Sequence, residues 1–389
     1  MKKFIILFER EFRLFRSNRL ALLIFLGAPI LYALLVGYVY KEATLKDLPV
    51  IVVDLDNTPL SHKIIDALDD NQFLAVKEVR NYNGSMRDEV MNKGYLAVVT
   101  IPDRFEADIQ QRRYTEVNAD INGANMLSAN YVATGVQTVL VSVNAALEIE
   151  TLKKKGVPPA IANQQFESFR INVSRFFNPS SNYLMFLWPG MLGTIMQQVF
   201  LLALALSFAK EFESNTFRNL IRYSNKASYL LLMKSLPYWL MGIALWLPLI
   251  RGFFALFHVP MMQSMGAFYL ASALFIVSLT SMGIAASIIF KTQLGATEVL
   301  MIIATPSFII SGQTWPLADM PLAIQWLSNT IPLTHYLEAF RRLILYKASL
   351  QEIMPQIRAL AGLTIVYSVL AYVALRYRIA KQQMHENRN

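Results

Sequence analysis

Six long apolar runs set the frame of this chain: Leu20–Tyr40, Tyr183–Phe208, Tyr229–Ile250, Gly266–Phe290, Leu294–Thr314 and Ile357–Leu375. The first has 21 residues without a charge, and about 20 apolar residues in a helix cross the hydrocarbon layer of a bilayer. Ahead of it, Phe4, Ile5, Phe8, Phe12 and Phe15 recur at helical spacing, with Lys2, Arg10 and Arg13 opposite. That pattern predicts an amphipathic helix over residues 1–19, lying in the headgroup region. Lys234 stands near the end of its run, where a long basic side chain is expected to snorkel to the interface.

Residues 41–181 follow another rhythm. Strand-like runs (Val50–Val53, Phe73–Val79, Tyr95–Ile101, Thr115–Ile121) alternate with helix-like segments (Ser61–Asp70, Ser85–Lys93, Asp103–Arg112). Such alternation predicts an α/β domain, and its length is sufficient to bury a core of its own. A helical stretch from Ala124 to Lys155 and a Pro-bearing connector from Gly156 complete it. The segment 315–355 is too apolar for a solvated loop and is broken by Pro316, Pro321 and Pro332. Short interfacial or re-entrant helices are expected there, their backbone groups satisfied within the protein. The fold class expected is an α-helical integral membrane protein with six transmembrane helices and an inserted α/β extracytoplasmic domain. In residue ranges this gives an interfacial helix (1–19), a first span (20–40), the inserted domain (41–181), spans two to six (182–376) and a cytoplasmic tail (377–389).

Charge fixes the orientation of this scheme. The chain carries 36 Lys/Arg against 27 Asp/Glu, a net of +9. Residues 41–181 hold 15 basic against 18 acidic residues, which leaves 21 against 9 beside the apolar runs. The basic excess therefore follows the spans, as a cytoplasmic bias of short loops requires, and no basic stripe points to nucleic acid. Six basic residues precede Leu20; Lys210, Arg218, Arg222, Lys226, Lys291, Arg376, Arg378 and Lys381 fall on the same side in a six-span scheme. Both termini are expected in the cytoplasm. The first run has no small-residue cleavage site after it and reads as an uncleaved anchor. With no cysteine in the chain, disulfides and Cys-ligated metals are excluded.

Candidate chemistry is sparse. Val52-Val53-Asp54-Leu55-Asp56-Asn57-Thr58 resembles the first motif of haloacid-dehalogenase-type phosphatases, in which the first aspartate attacks phosphorus beside Mg²⁺. Pro59 departs from that pattern, Asp69-Asp70 comes too early for the distal metal pair, and a strand ending in an Asp/Asn/Pro turn accounts for the same residues. A membrane-anchored phosphatase using Asp54 and Asp56 is one alternative; a ligand-sensing receptor is another. The first and fourth spans hold no charge, which argues against a proton- or ion-driven carrier. There is no G-x-x-x-x-G-K-[ST] loop to bind nucleotide, and His62, His258, His335 and His385 are scattered.

One polar stretch between two spans focuses the reading: Lys210-Glu211-Phe212-Glu213-Ser214-Asn215-Thr216-Phe217-Arg218, continuing to Arg222. It is similar to the basic-E-x-E-x-G-T element of the ABC-2 type permeases, the membrane subunits of ABC exporters. Lys234-Ser235-Leu236-Pro237-Tyr238 is similar to that family's G-K-x-x-P-Y entry to the third span. Ser311-Gly312, Pro316, Met320-Pro321, Gln325 and Pro332-Leu333-Thr334-His335-Tyr336-Leu337-Glu338-Ala339-Phe340-Arg341 resemble its most specific pattern, SG…P…MP…Q…PLTH-x-x-E-x-x-R. Asp54, Asp56, Ser61, Ile101-Pro102, Phe105, Asp120, Gly123 and Asn125 match its outer domain. Asn215 replaces the usual Gly, Met233 the Gly before Lys234, and Arg222-Tyr223-Ser224 an apolar-T-P step.

The resemblance implies that residues 209–227 form a coupling element for a cytoplasmic ABC ATPase. Glu211 and Glu213 would sit near a helix amino terminus, with Asn215 and Thr216 as turn or cap residues. Phe217, Leu220 and Ile221 would face the spans, and Arg218 and Arg222 the partner. It further implies a dimer of permease subunits, identical or not. The route would run along the second and fifth spans, where Met191, Met196, Gln197, Gln198, Ser307 and Phe308 are candidates for an amphiphilic or drug-like cargo. ATP and Mg²⁺ would be bound by the ATPase subunit, with no cofactor or metal in this chain and no catalytic residue of its own. A periplasmic adaptor and outer-membrane channel are implied by analogy alone.

Overall fold

The computed structural model describes residues 2–17, 19–42, 44–82, 93–111, 113–158, 161, 177–178 and 182–386. The chain forms two compact units, one of Met1–Ala43 with Arg175–Asn389 and the other Thr44–Ser174. The helix expected at Ser85–Lys93 lies outside the described residues except for Lys93, as does most of the connector after Gly156.

The first unit opens with α1 (Lys2–Ser17) and α2 (Arg19–Val39). The second contains β1 (Leu48–Asp54), α3 (Pro59–Asp69), β2 (Leu74–Arg80), β3 (Ala97–Ile101), α4 (Phe105–Gln110), β4 (Asn118–Ile121) and α5 (Met126–Lys154). The first unit resumes with α6 (Tyr183–Glu213), α7 (Phe217–Tyr223), α8 (Ala227–Leu256), α9 (Met265–Ile289) and α10 (Gln293–Ile310). A 3₁₀ turn (Leu317–Asp319), α11 (Leu322–Asn329), α12 (Pro332–Leu345) and α13 (Met354–Glu386) complete it.

Seven of these helices are long and apolar enough to cross a membrane: α2, α5, α6, α8, α9, α10 and α13. Helices α6 and α9 form the centre of the first unit, with 78% of their apolar windows buried against 17–33% for the others. The outer helices turn large apolar residues outward, such as Ile302 (72% exposed) on α10 and Ile365 (64%) on α13. In water such faces would drive aggregation; in lipid they are the solvated surface. The protein is a multi-pass membrane protein.

Because lipid tails are as apolar as leucine, helices in a bilayer gain from close backbone approach at small residues. A Cβ built on Gly283 of α9 would lie 2.6 Å from Leu204 Cβ on α6, and one on Gly242 of α8 would meet Phe200 Cζ at 2.3 Å. Aromatic stacking joins α12 to the same core. Tyr336 lies flat on Phe275, centroids 4.1 Å apart, and its hydroxyl accepts from Trp246 Nε1 at 3.0 Å.

The second unit holds a four-stranded sheet in the order β2-β1-β3-β4, with β1 parallel to β2 and β3, and β4 antiparallel to β3. Val50, Ile51, Val52 and Val53 are all fully buried, which is the continuous apolar run of a strand covered on both faces. On one face Val50 and Val52 pack with Ile64 and Leu68 of α3 and with Tyr131, Val132, Val136 and Val139 of α5. After β1 the turn is closed by Asp54, whose carboxylate accepts from Asp56 N, Asn57 N and Ser61 Oγ. Thr58 and Ser61 form a capping box at the start of α3, and Pro59 occupies its first turn, where a missing N–H costs nothing.

Substitution at the α6–α9 crossing tests this packing. Gly283→Ala is expected to cost about 1–3 kcal/mol through overpacking, read as a lower midpoint of thermal aggregation in detergent. Gly252→Ala, at a position with no neighbouring atom within 4 Å, is the matched control and should not lower it.

Candidate functional site

Helix α6 is charge-free until Lys210 and then presents two carboxylates in its last turn. The helix stops at Ser214 because Asn215 adopts a left-handed conformation, φ 56°. Thr216 N donates to Glu211 O (3.0 Å) and Asn215 N to Phe212 O (3.3 Å), the paired bonds of a Schellman turn. Asparagine is among the few residues that tolerate this φ, so the exchange of the family's glycine keeps the turn. Glu211 and Glu213 thus lie at a helix carboxyl end, contrary to the expected amino-terminal position, and the dipole there disfavours them. Other charges must compensate.

For Glu211 they come from far along the sequence. Arg10 Nη2 lies 2.8 Å from Oε1 and donates to Oε2 at 2.9 Å. Lys234 Nζ sits 3.2 Å from Oε1, and Thr216 Oγ1 donates to Oε2 at 2.5 Å. Lys234 also meets Glu11 Oε1 at 2.9 Å and donates to Ser207 O at 3.1 Å. The result is a neutral group of two acids and two bases, with side-chain exposures of 3% (Glu211), 6% (Glu11), 2% (Lys234) and 29% (Arg10). Burial works against the charged form of Arg10, but the bond and the charge of Glu211 outweigh it and raise its pKa.

Two sequence expectations are corrected here. Lys234 does not snorkel; it turns into the protein because two carboxylates await it. Arg10 does not lie on a free polar face of α1; with Glu11 it faces the spans, while Phe12 is 42% exposed and Phe15 packs on Phe25 and Tyr238. The side chains of Phe4 and Ile5 lie outside the described residues.

Glu213 is engaged differently. Exposed itself, it accepts from Gln293 Nε2 (2.6 Å) and more weakly from Gln293 N (3.3 Å), at the amino end of α10. Helix α7 follows, with Phe217, Leu220 and Ile221 buried in the core shared by the spans and Arg218 and Arg222 exposed. Arg378 of α13 donates to Ile289 O at 3.0 Å and lies over the Phe212 ring.

The path candidates lie mainly on the α6–α10 seam. Gln197 Nε2 donates to Ser307 Oγ (2.8 Å), and Ser307 in turn to Ala304 O. Met196, Gln197 and Ser307 are completely buried, Met191, Gln198 and Phe308 half-buried. The amide oxygen of Gln197 finds no partner.

The pattern from Ser311 to Arg341 is brought together as a set of bonds to backbone carbonyls. Ser311 Oγ donates to Phe308 O, Gln313 to Phe186 O, Ser328 to Ile310 O and Arg341 to Gly312 O. Gln325 donates to Met320 O. Thr334 pairs with Ser328 at 2.9 Å, and Glu338 accepts from both Arg341 and Arg342. His335 Nε2 lies 2.9 Å from Asn329 O, which can only accept, so that nitrogen carries the proton. Burial lowers the His335 pKa against the raising pull of this bond, and the ring is neutral at pH 7. Gly312 supplies the positive φ (84°) that turns the chain after α10, and Pro332 opens α12. Ser311, Gln325, Ser328 and Arg341 thus answer carbonyls that the broken helices leave open, and Gln313 reaches across to α6.

Removing one partner from a buried ion group strands the others, at about 3–5 kcal/mol. Lys234→Met is expected to lower the unfolding midpoint of the detergent-solubilised protein sharply. Adding Glu11→Gln to the same chain should recover part of the loss, because one carboxylate then no longer needs a counter-charge.

The chain matches the model of the ABC-2 family transporter protein over residues 20–373. It is similar to the probable multidrug ABC transporter permease YbhR of Escherichia coli (strain K12), 22% identical over 295 residues that cover 76% of this chain and 77% of that one. It is also similar to the inner membrane transport permease YhhJ of the same organism, 22% identical over 356 residues, 88% of this chain and 90% of that one. ABC transporter G family member 20 of Dictyostelium discoideum is 24% identical over 348 residues, 87% of this chain; the match spans 45% of that longer protein. With the family model spanning α2 to most of α13, this chain belongs to the ABC-2 transporter family.

Proposed function

We propose that this protein is the membrane permease subunit of an ATP-driven exporter, and that residues 209–227 are where a separate cytoplasmic ATPase delivers its work. The observation that carries the reading is the contrast within that loop. Its apolar side and Glu211 are locked into the spans, while Arg218 and Arg222 are left exposed. Exposed arginines on a braced element suit a charged protein groove. ATP and Mg²⁺ are held by the ATPase, and this chain is not itself an enzyme.

Six spans cross the inner membrane in this reading: α2, α6, α8, α9, α10 and α13, with both termini cytoplasmic. Helix α5 is apolar enough for a seventh. Its Tyr131, Val132, Val136 and Val139 close the sheet's core, which supports placing it in an extracytoplasmic α/β domain of residues 41–181. The segment 315–355 then lies at the outer interface, where exposed Trp315 and Trp326 suit the headgroup layer. A second permease subunit completes the route, and the cargo is a hydrophobic or amphiphilic compound. The names of the relatives, multidrug permeases among them, point the same way. An adaptor and outer-membrane channel would join at the outer domain.

The phosphatase alternative asks Asp54 for a free nucleophilic oxygen. Its carboxylate, 4% exposed, instead holds three donors of its own turn.

Purification from native membranes in mild detergent tests the reading. A stoichiometric ATPase is expected with the parent chain and is lost from Arg218→Glu/Arg222→Glu. Glu213→Ala should insert normally yet export little. Unchanged export by that variant at normal expression would remove the loop from the mechanism.

A further inference from the structure

Helices α6 and α10 run antiparallel and share a seam that two polar contacts hold. One is Gln197–Ser307 in its buried middle (2.8 Å); the other is Glu213–Gln293 at the loop end (2.6 Å). At about 1.5 Å per residue, these contacts are roughly 24 Å apart along α6 and roughly 21 Å along α10. Between the two contacts Ala296, Leu300 and Ala304 of α10 are buried, while Ile302 and Ile309 face outward.

We propose that Gln293 is a positioning residue of the transport cycle: through Glu213 it ties the amino end of α10 to the ATPase-facing loop, so that displacement of the loop shifts α10 along α6 and opens the Gln197–Ser307 seam. The inference rests on the reading of 209–227 as the coupling element. Glu213 is the last residue of α6 and four residues from the start of α7, so it follows any movement of that turn. On α10 it grips Gln293, the first residue of the helix, where a carboxylate is also favoured by the dipole. The middle contact is a single bond: Ser307 keeps its donation to Ala304 O when the pair parts, and Gln197 Oε1 is already buried without a partner.

The chain has no cysteine, so spin labels go only where they are placed. Labels at Ile302→Cys on α10 and Val369→Cys on α13, both exposed, report the α10–α13 distance in the purified permease–ATPase complex, without nucleotide and with ATP plus vanadate. The parent complex is expected to show a nucleotide-dependent shift. Gln293→Glu sets two carboxylates face to face and should abolish the shift while the ATPase still co-purifies. Adding Glu213→Gln re-forms the bond with donor and acceptor exchanged and should restore it. Gln293→Ala, which removes the donor without repulsion, should reduce the shift. A shift that survives in both Gln293 variants, or that Glu213→Gln fails to restore, overturns the inference and leaves the exporter reading standing. A parent that brings down no ATPase overturns both; one that holds the ATPase but shows no shift overturns this inference alone.

Discussion

Two acids and two bases buried beside apolar helices are the constraint around which the loop-side half of the membrane unit is arranged. Transferring one such ion from water into a low-dielectric interior costs of the order of 20 kcal/mol in the idealised limit and several in practice. Arg10, Glu11, Glu211 and Lys234 are tolerable only together, with net charge zero and Thr216 Oγ1 and Ser207 O supplying further bonds. That condition joins three segments: α1 through Arg10 and Glu11, the end of α6 through Glu211, and the first turns of α8 through Lys234. None can withdraw alone without leaving a charge uncompensated. Helix α1, the end of α6 with its loop, and α8 therefore behave as one body.

The same rule, applied to the backbone instead of to ions, explains the segment between α10 and α13. Prolines and a left-handed Gly312 break the helices there, and each break frees carbonyls that lipid cannot satisfy. Ser311, Gln325, Ser328 and Arg341 each donate to one, and Gln313 reaches Phe186 O on α6. Several residues of the pattern in this region thus have a structural rationale. Arg341 reaches back 29 residues to Gly312 and depends on Glu338 to hold it.

Length and periodicity made the spans legible, because crossing a bilayer imposes a minimum apolar run whatever the neighbours are. The strands were legible for a similar reason: Val50–Val53 could only be a run covered on both faces. Three charges escape a reading from their neighbours in sequence. Lys234 reads as a snorkelling residue because its counter-ions are 23 and 223 positions away. Arg10 reads as part of a polar face because its partner is 201 positions away. Glu211 reads as amino-terminal because the charge-free part of α6 ends at Ala209, although the helix continues to Glu213. Helix α5 shows the converse ambiguity. Its composition suits a span, and only the contacts of Tyr131 and Val136 with the sheet favour another place.

Which helices can move follows from how each is held. Helices α6 and α9 interlock where Gly283 leaves no room for a side chain, and well-packed interiors are bistable at best, not continuously deformable. Helix α8 is tied to α1 and α6 by Lys234, so it travels with them. Helix α13 is secured to the end of α9 by the bonds of Arg378 to Ile288 O and Ile289 O. Helix α10 meets α6 through two separated polar contacts and through buried Ala296, Leu300 and Ala304, and turns Leu294, Ile302 and Ile309 outward. Contacts with lipid exchange at little cost as a helix slides, whereas interdigitated side chains do not. Ala296 and Ala304 offer α6 only short side chains, so the movement proposed above would meet less interlocking along α10 than at the Gly283 crossing of α6 and α9.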